Sequence, residues 1–134
     1  MKCEVIAEIG WNHMGDVDLA KQMIDAAADA GADYVKFQTW AVEDLVSGTW
    51  DTDGRRQIYE KAELTEDKHR HLFEYCEEKS VKFLTSVFNI KHVEMLRNVG
   101  CKEIKIASCE ALNKELVNSC LDTFDRIYIS TGGL

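Results

Sequence analysis

Five short apolar runs, each followed by an amphipathic or polar stretch, limit this chain to a narrow set of folds. Residues 3–7, 34–38, 81–85, 103–107 and 126–129 read as strands. Between them, Asp16 caps a helix whose apolar side carries Leu19, Met23, Ile24 and Ala27, and Gly31 closes it. Thr65 caps a second helix, with Glu66 and Asp67 in its first turn, that runs through Leu72, Phe73 and Cys76. Asn89 caps a third, with Val93, Leu96 and Val99 on one side and Gly100 at its end, and a fourth is expected over 112–120. Strand starts recur at roughly 20 to 30 residues, apart from a long polar connection over 39–63. Repeated strand–helix–strand units dictate a parallel sheet with right-handed crossovers.

Two architectures carry that pattern. One is a five-stranded doubly wound, flavodoxin-like sheet. The other is about the first five strands of a (β/α)₈ TIM barrel, whose full length is about 250 residues. Two features favour the incomplete barrel. No helix follows the fifth run, so one face of an open sheet would lack cover. Polar residues also stand at the carboxyl end of every strand, whereas an open sheet gathers them at a single switch point. The expectation is therefore one partial-barrel segment over 1–134.

Composition narrows the function. A net charge of −8 argues against a nucleic-acid partner, which would need a basic face. No apolar run approaches the roughly 20 residues of a membrane span, and no signal-peptide pattern opens the chain. The five cysteines are odd in number and form no CxxC pair, which points to neither zinc nor a disulfide framework. A cytoplasmic protein with reduced thiols is expected.

The strand ends hold the chemistry. Glu8, Lys36, Gln38, Thr85, Ser86, Lys105, Ser108, Glu110, Ser130 and Thr131 all fall there. Two lysines and several hydroxyls at one mouth make a cradle for phosphate and carboxylate. Nearby carboxylates can manage protons. Glu8, which interrupts the apolar run Val5-Ile6-Ala7, is expected to pair with cations across that mouth, because an unpaired buried charge is too costly. Each residue alone has an ordinary reading: a snorkelling lysine, an edge-strand carboxylate, a serine–glycine turn. Five successive strands ending alike weaken those readings jointly. His13 reads as a loop residue with a local hydrogen bond. His69, His71 and His92 read as solvated helix residues, not as metal ligands. Trp11 and Trp40, after the first two strands, either wall a substrate pocket or cover the barrel rim, with the rim favoured.

The pieces AEIGWNHMGD (7–16), IDAAADAGADYVKFQTW (24–40), YEKAELTEDKHRHLFEYCEEKSVKFLTSVFN (59–89), IKIASCE (104–110) and ISTGG (129–133) resemble, in order and spacing, the sialic acid synthase family. That resemblance implies the synthesis of nonulosonic acids from phosphoenolpyruvate and an N-acetylhexosamine, with release of phosphate. It implies Glu8 as the catalytic carboxylate. It implies substrate contacts from Lys36 and Gln38 (VKFQ), Ser86, Lys105 and Ser108, Glu110 as the sugar-contacting acid, and Ser130 on phosphate. A divalent metal, manganese or magnesium, is expected for the family, with its ligands and a C-terminal antifreeze-like domain outside this chain. The isolated chain is therefore expected to be inactive, and a homo-oligomer is expected. Two positions depart from the family: Ser86-Val87-Phe88 stands where Thr-Pro-Phe is usual, and Cys109 stands where glycine is usual. The alternative is a non-catalytic partial barrel that acts by oligomerisation or by binding a phosphate ligand.

Overall fold

A computed structural model of the chain describes residues 3–132. The last residue of the ISTGG piece, Gly133, lies outside them. Five parallel strands form one sheet in sequential order: β1 (Ile6–Gly10), β2 (Tyr34–Thr39), β3 (Lys82–Val87), β4 (Glu103–Ile106) and β5 (Arg126–Ile129). The helices are α1 (Val17–Asp29), α2 (Arg55–Ala62), α3 (Glu66–Glu78), α4 (Lys91–Val99) and α5 (Lys114–Thr123). Sequential order with right-handed crossovers places the crossover helices α1, α3, α4 and α5 on one side of the sheet, where neighbours touch in the series α1–α3–α4–α5. This is the pattern of the first five strands of a (β/α)₈ barrel. A doubly wound sheet reverses its strand order at a switch point, and this sheet has none, so the flavodoxin-like alternative is set aside.

The period-2 alternation of each strand divides the molecule into a dry side and a wet side. Ala7, Ile9, Val35, Phe37, Phe83, Val87, Ile104, Ile106 and Ile127 join Ile24, Leu72, Cys76, Leu96 and Leu116 of the helices in one core. The alternate positions, Glu8, Lys36, Gln38, Ser86 and Lys105, belong to the opposite face. At the amino ends of the strands that face is closed by a polar network. Tyr34 and Tyr128 hydroxyls donate to Glu103 Oε2 at 2.9 and 3.0 Å, Lys82 Nζ donates to Tyr34 at 2.9 Å, and Arg126 binds Glu4 at 3.0 Å.

Local signals account for most helix boundaries. Asp16 Oδ1 accepts from the backbone N–H of Asp18 and Leu19 at 2.9 and 3.0 Å, a cap of about 1 kcal/mol. Thr65 caps α3 and Asn113 caps α5. Asn89 was expected as the cap of α4; Ile90 occupies that place, and Asn89 Oδ1 accepts from Lys91 N at 3.0 Å one residue earlier. Gly15 is required by close approach: its φ is +77°, and a Cβ there would stand 1.8 Å from the Lys61 carbonyl oxygen. That contact seats the β1–α1 loop against α2.

Two expectations are corrected. The first strand does not stop before Glu8; it runs from Ile6 to Gly10 with Glu8 inside it, because Lys36 of the neighbouring strand meets the carboxylate. The connection over 39–63, read as a polar stretch without a clear period, contains two 3₁₀ turns (Val42–Asp44 and Thr49–Asp51) and the whole of α2. Arg56 of α2 pairs with Asp51 at 2.6 Å and with Glu60 at 2.9 Å.

Candidate anion site at the strand ends

Lys36 is the centre of the site. It stands in register with Glu8 on β1, and Ser86 of β3 is in register with Gln38 of β2 and Lys105 of β4. Its Nζ lies 2.6 Å from Glu8 Oε2 and donates to Ser86 Oγ at 3.0 Å. Only 6% of Lys36 is exposed. A lysine side chain so far from water needs polar partners of this kind. The Glu8 carboxylate is half exposed, which leaves the pair open to a ligand on one side.

Lys105 completes a cationic pair. Its pKa is lowered, first by burial and then by the nearby Lys36 charge, while Glu8 and Cys109 pull the other way. Two ammonium groups that raise each other's cost of charging are stabilised by a bound anion. Gly10, with φ +60°, keeps the floor of this region open: a Cβ there would stand 3.3 Å from Glu8 Oε1 and 3.8 Å from Gln38 Nε2.

The other expected residues sit around this centre. Gln38 Oε1 accepts from Trp40 Nε1 at 3.3 Å. Ser108 opens an exposed 3₁₀ turn after β4, and Glu110 at its end accepts from Asn113 Nδ2 at 2.8 Å. Ser130 follows β5, and its N–H donates to the Ile106 carbonyl at 3.2 Å. Glu8, Lys36, Ser86 and Lys105 are thus brought together. Ser108, Glu110 and Ser130 stand at the rim and make no hydrogen bond to the two lysines among the described residues.

The histidines lie on the other side of the sheet. His69 was expected to be solvated and is instead fully buried. Its Nε2 is 2.7 Å from Thr39 Oγ1, which is 2.8 Å from Thr85 Oγ1, and its Nδ1 is 2.9 Å from the Thr65 carbonyl. Burial pushes its pKa down to about 4. His13 is buried as well and accepts from Gly15 N at 2.9 Å, the local bond expected of it. Burial lowers His13 first, and the Lys68 charge adds to that. Among the described residues no group of three or more His, Cys, Asp or Glu side chains could hold a metal ion. The donor set present does not fit the divalent metal that the resemblance implies. No helix among these residues is long and apolar enough to cross a membrane.

Of the two readings of Trp11 and Trp40, pocket wall or barrel rim, the first holds: they wall a cavity of about 260 Å³ together with Gln38, Trp50, Tyr59 and Phe88. Tyr59 is its hub, with ring centroids 5.8 Å from Trp11, 5.7 Å from Trp40 and 5.5 Å from Trp50. Its sequence signal was three aromatic residues within a stretch otherwise taken for polar loop. A larger cavity of about 470 Å³ lies at the amino end of the strands, lined by Tyr34, Phe73, Lys82 and Glu103, away from the site.

Residues 23–133 match the model of the NeuB family. The chain is 33% identical to an N,N'-diacetyllegionaminic acid synthase of Campylobacter jejuni over 142 aligned residues, covering 98% of this chain and 42% of that protein. It is likewise 33% identical to the N-acetylneuraminate-9-phosphate synthase of Homo sapiens, covering 97% of this chain and 39% of that protein. Among solved structures, the N-acetylneuraminic acid (sialic acid) synthetase of Leptospira borgpetersenii, in complex with citrate, superposes with a TM-score of 0.86 at 32% identity. That match covers 97% of this chain and 45% of that one. The chain spans about two fifths of the length of the curated relatives it matches.

Proposed function

We propose a function from one premise: the chain belongs to the NeuB family. On that premise it carries the phosphoenolpyruvate-binding part of a nonulosonic (sialic-type) acid synthase. Such an enzyme is a carbon–carbon bond-forming transferase that condenses phosphoenolpyruvate with an N-acetylhexosamine and releases phosphate. The observation that carries the reading is the buried Lys36 ammonium, held between Glu8 and Ser86, with a second cation, Lys105, in its field.

Phosphoenolpyruvate presents a carboxylate and a phosphate on one small framework. Two lysines beside serine hydroxyls suit such a ligand, since the ammonium groups supply charge and the hydroxyls fix orientation. Lys36 and Ser86 hold one anionic group. Lys105, with Ser108 and Ser130 at the rim, receives the other. Glu110 faces the sugar. In the reaction the methylene carbon of phosphoenolpyruvate bonds to the aldehyde carbon of the open-chain sugar. The aldehyde oxygen becomes an alkoxide, water adds to the carbon left cationic, and the water's proton passes through Glu8 to that alkoxide. The carbon–oxygen bond to phosphate then breaks as the added hydroxyl gives its proton to the departing phosphate, leaving a ketone and inorganic phosphate. The similarity to an N,N'-diacetyllegionaminic acid synthase and an N-acetylneuraminate-9-phosphate synthase supports the substrate class.

Calorimetric titration of phosphoenolpyruvate into the chain tests this reading. Saturable binding is expected, weakened at least about tenfold in Lys36→Met, because a charge-assisted contact contributes about 1.5–3 kcal/mol. Equal binding by both proteins, with unchanged far-ultraviolet circular dichroism, overturns it.

A further inference from the structure

We propose that His69, on the helix side of the sheet, is a positioning residue: acting through Thr39 and Thr85, it holds Ser86 in place beside Lys36. The proposal rests on the synthase reading for the anion that the site receives, and it adds what keeps the site in shape. His69, Thr39 and Thr85 are each at most 1% exposed and form one chain of hydrogen bonds.

The direction of each bond follows from chemistry. The Thr65 carbonyl can only accept, so His69 Nδ1–H donates to it at 2.9 Å, and the neutral ring has no proton on Nε2. Nε2 therefore accepts from the Thr39 hydroxyl at 2.7 Å. With its own proton engaged there, Thr39 Oγ1 accepts from the Thr85 hydroxyl at 2.8 Å. Thr65 is also the N-cap residue of α3, and its carbonyl accepts a second bond from His69 N at 3.0 Å. The first turn of α3 is thus tied through one imidazole to both β2 and β3.

The tie lies at the level of the anion site. Successive side chains of a strand point to opposite faces, so Thr39 and Thr85 face the helices while their chain neighbours Gln38 and Ser86 face the mouth. Gln38 is in register with Ser86, and Ser86 with Lys105. A shift of the β3 tip therefore moves Ser86 relative to both lysines. Lys36 Nζ reaches Ser86 Oγ at 3.0 Å, and a displacement of about 1 Å breaks such a contact. Without an acceptor at position 69, the Thr39 hydroxyl is buried and unpaired, which favours turning its side chain away from Thr85 and releases the bridge between the strands.

Calorimetry at neutral pH, with inorganic phosphate and with phosphoenolpyruvate, compares the unaltered chain with His69→Gln, His69→Leu and Thr85→Val. Both His69 variants lose the ring that packs against Phe83, so a histidine with a purely structural role predicts the same anion affinity in the two. Glutamine keeps an acceptor for Thr39 and leucine does not. His69→Leu is expected to weaken phosphate at least about fivefold, well inside the roughly 10²-fold that a 1 Å misplacement can cost. His69→Gln is expected to stay within about twofold, because it restores the bond to Thr39. Thr85→Val keeps the shape and strand preference of threonine, so it folds even where His69→Leu does not, and it is expected to weaken phosphate at least about threefold. In a Ser86→Ala background His69→Leu is expected to add less than about 1.5-fold, because its effect runs through Ser86. Unchanged phosphate affinity in His69→Leu or Thr85→Val, or full additivity with Ser86→Ala, overturns the positioning role and leaves the synthase reading standing. Phosphate affinities in the expected order, with phosphoenolpyruvate binding no tighter than phosphate, overturn the synthase reading and leave the positioning role standing. No saturable binding of either anion to the unaltered chain overturns both.

Discussion

Lys36 and Glu8 share a 2.6 Å ion pair but not an environment: the lysine side chain is 7% exposed and the glutamate 54%. The two ends of the pair should therefore respond differently to removal. Lys36→Met leaves a carboxylate that water can solvate, so its stability cost is expected to be within about 1 kcal/mol. Glu8→Gln leaves a buried ammonium with Ser86 and the amide as its only dipoles. Its cost is expected at about 1–3 kcal/mol, below the about 3–5 kcal/mol of a fully buried pair because one partner is half solvated. Urea unfolding of both variants at neutral pH checks the order; a larger loss in Lys36→Met contradicts the asymmetry.

Lys105 tests the anion site from its wetter side. Its ammonium is only part-buried, so its contact with a phosphate is expected to sit at the low end of charge-assisted bonds. Lys105→Met should weaken inorganic phosphate binding about tenfold. The loss should shrink as ionic strength rises, because an exposed charge is screened and the buried Lys36 is not. Calorimetry at two salt concentrations measures both effects.

Gly15 and Gly31 separate strain from collision. Both have positive φ, +77° and +80°, but only at Gly15 would a Cβ meet backbone, at 1.8 Å from the Lys61 oxygen; at Gly31 nothing lies within 4 Å. Gly31→Ala is expected to cost about 1–2 kcal/mol, the left-handed penalty alone. Gly15→Ala must also push the β1–α1 loop off α2, and its cost is expected to be at least about twice as large. The tryptophan emission, which reads the cavity α2 walls, should shift in Gly15→Ala and stay unchanged in Gly31→Ala.

Much of this architecture is legible in the residues, and the exceptions have a common cause. β5 over Arg126–Ile129 and the Asp16 and Thr65 caps follow from local patterns, because alternation and capping are short-range. The passage of β1 through Glu8 is not local: the partner that makes it tolerable, Lys36, lies on another strand. α2 is set by long-range docking of Tyr59 on three tryptophans and by ion pairs of Arg56, neither of which gives an apolar period. At the site, Glu8, Lys36, Ser86 and Lys105 could be picked out because strand ends of a parallel barrel converge. The gathering of the aromatic cavity beside Gln38 could not, since it depends on where the long connection folds back. His69 was assigned to the right helix and the wrong side, although Leu72 and Cys76, three and seven residues on, mark the buried stripe it shares.

That buried histidine sets an acid limit on the fold. The His69 pKa is 6.5 when unperturbed and about 4 in the folded chain, where burial disfavours the cation. Between those values the unfolded chain binds the extra proton and the folded one does not, so unfolding gains free energy as pH falls. The stability tied to neutral His69 is complete above pH 6.5 and declines as pH drops towards 4. From pH 7 to pH 5 the loss comes to about 2 kcal/mol. His13 and His92, whose pKa values burial also lowers, act in the same direction. Protonated His69 would in addition lose its one acceptor: Nδ1–H donates to the Thr65 carbonyl, so Nε2 of the neutral ring accepts from the Thr39 hydroxyl. In His69→Gln the amide can still bond Thr39 but cannot titrate. Its urea midpoint is expected to be lower than that of the unaltered chain at pH 7, by the loss of ring packing against Phe83, and to fall less steeply towards pH 5. Parallel pH slopes for the two proteins would assign the acid sensitivity to His13 and His92 instead.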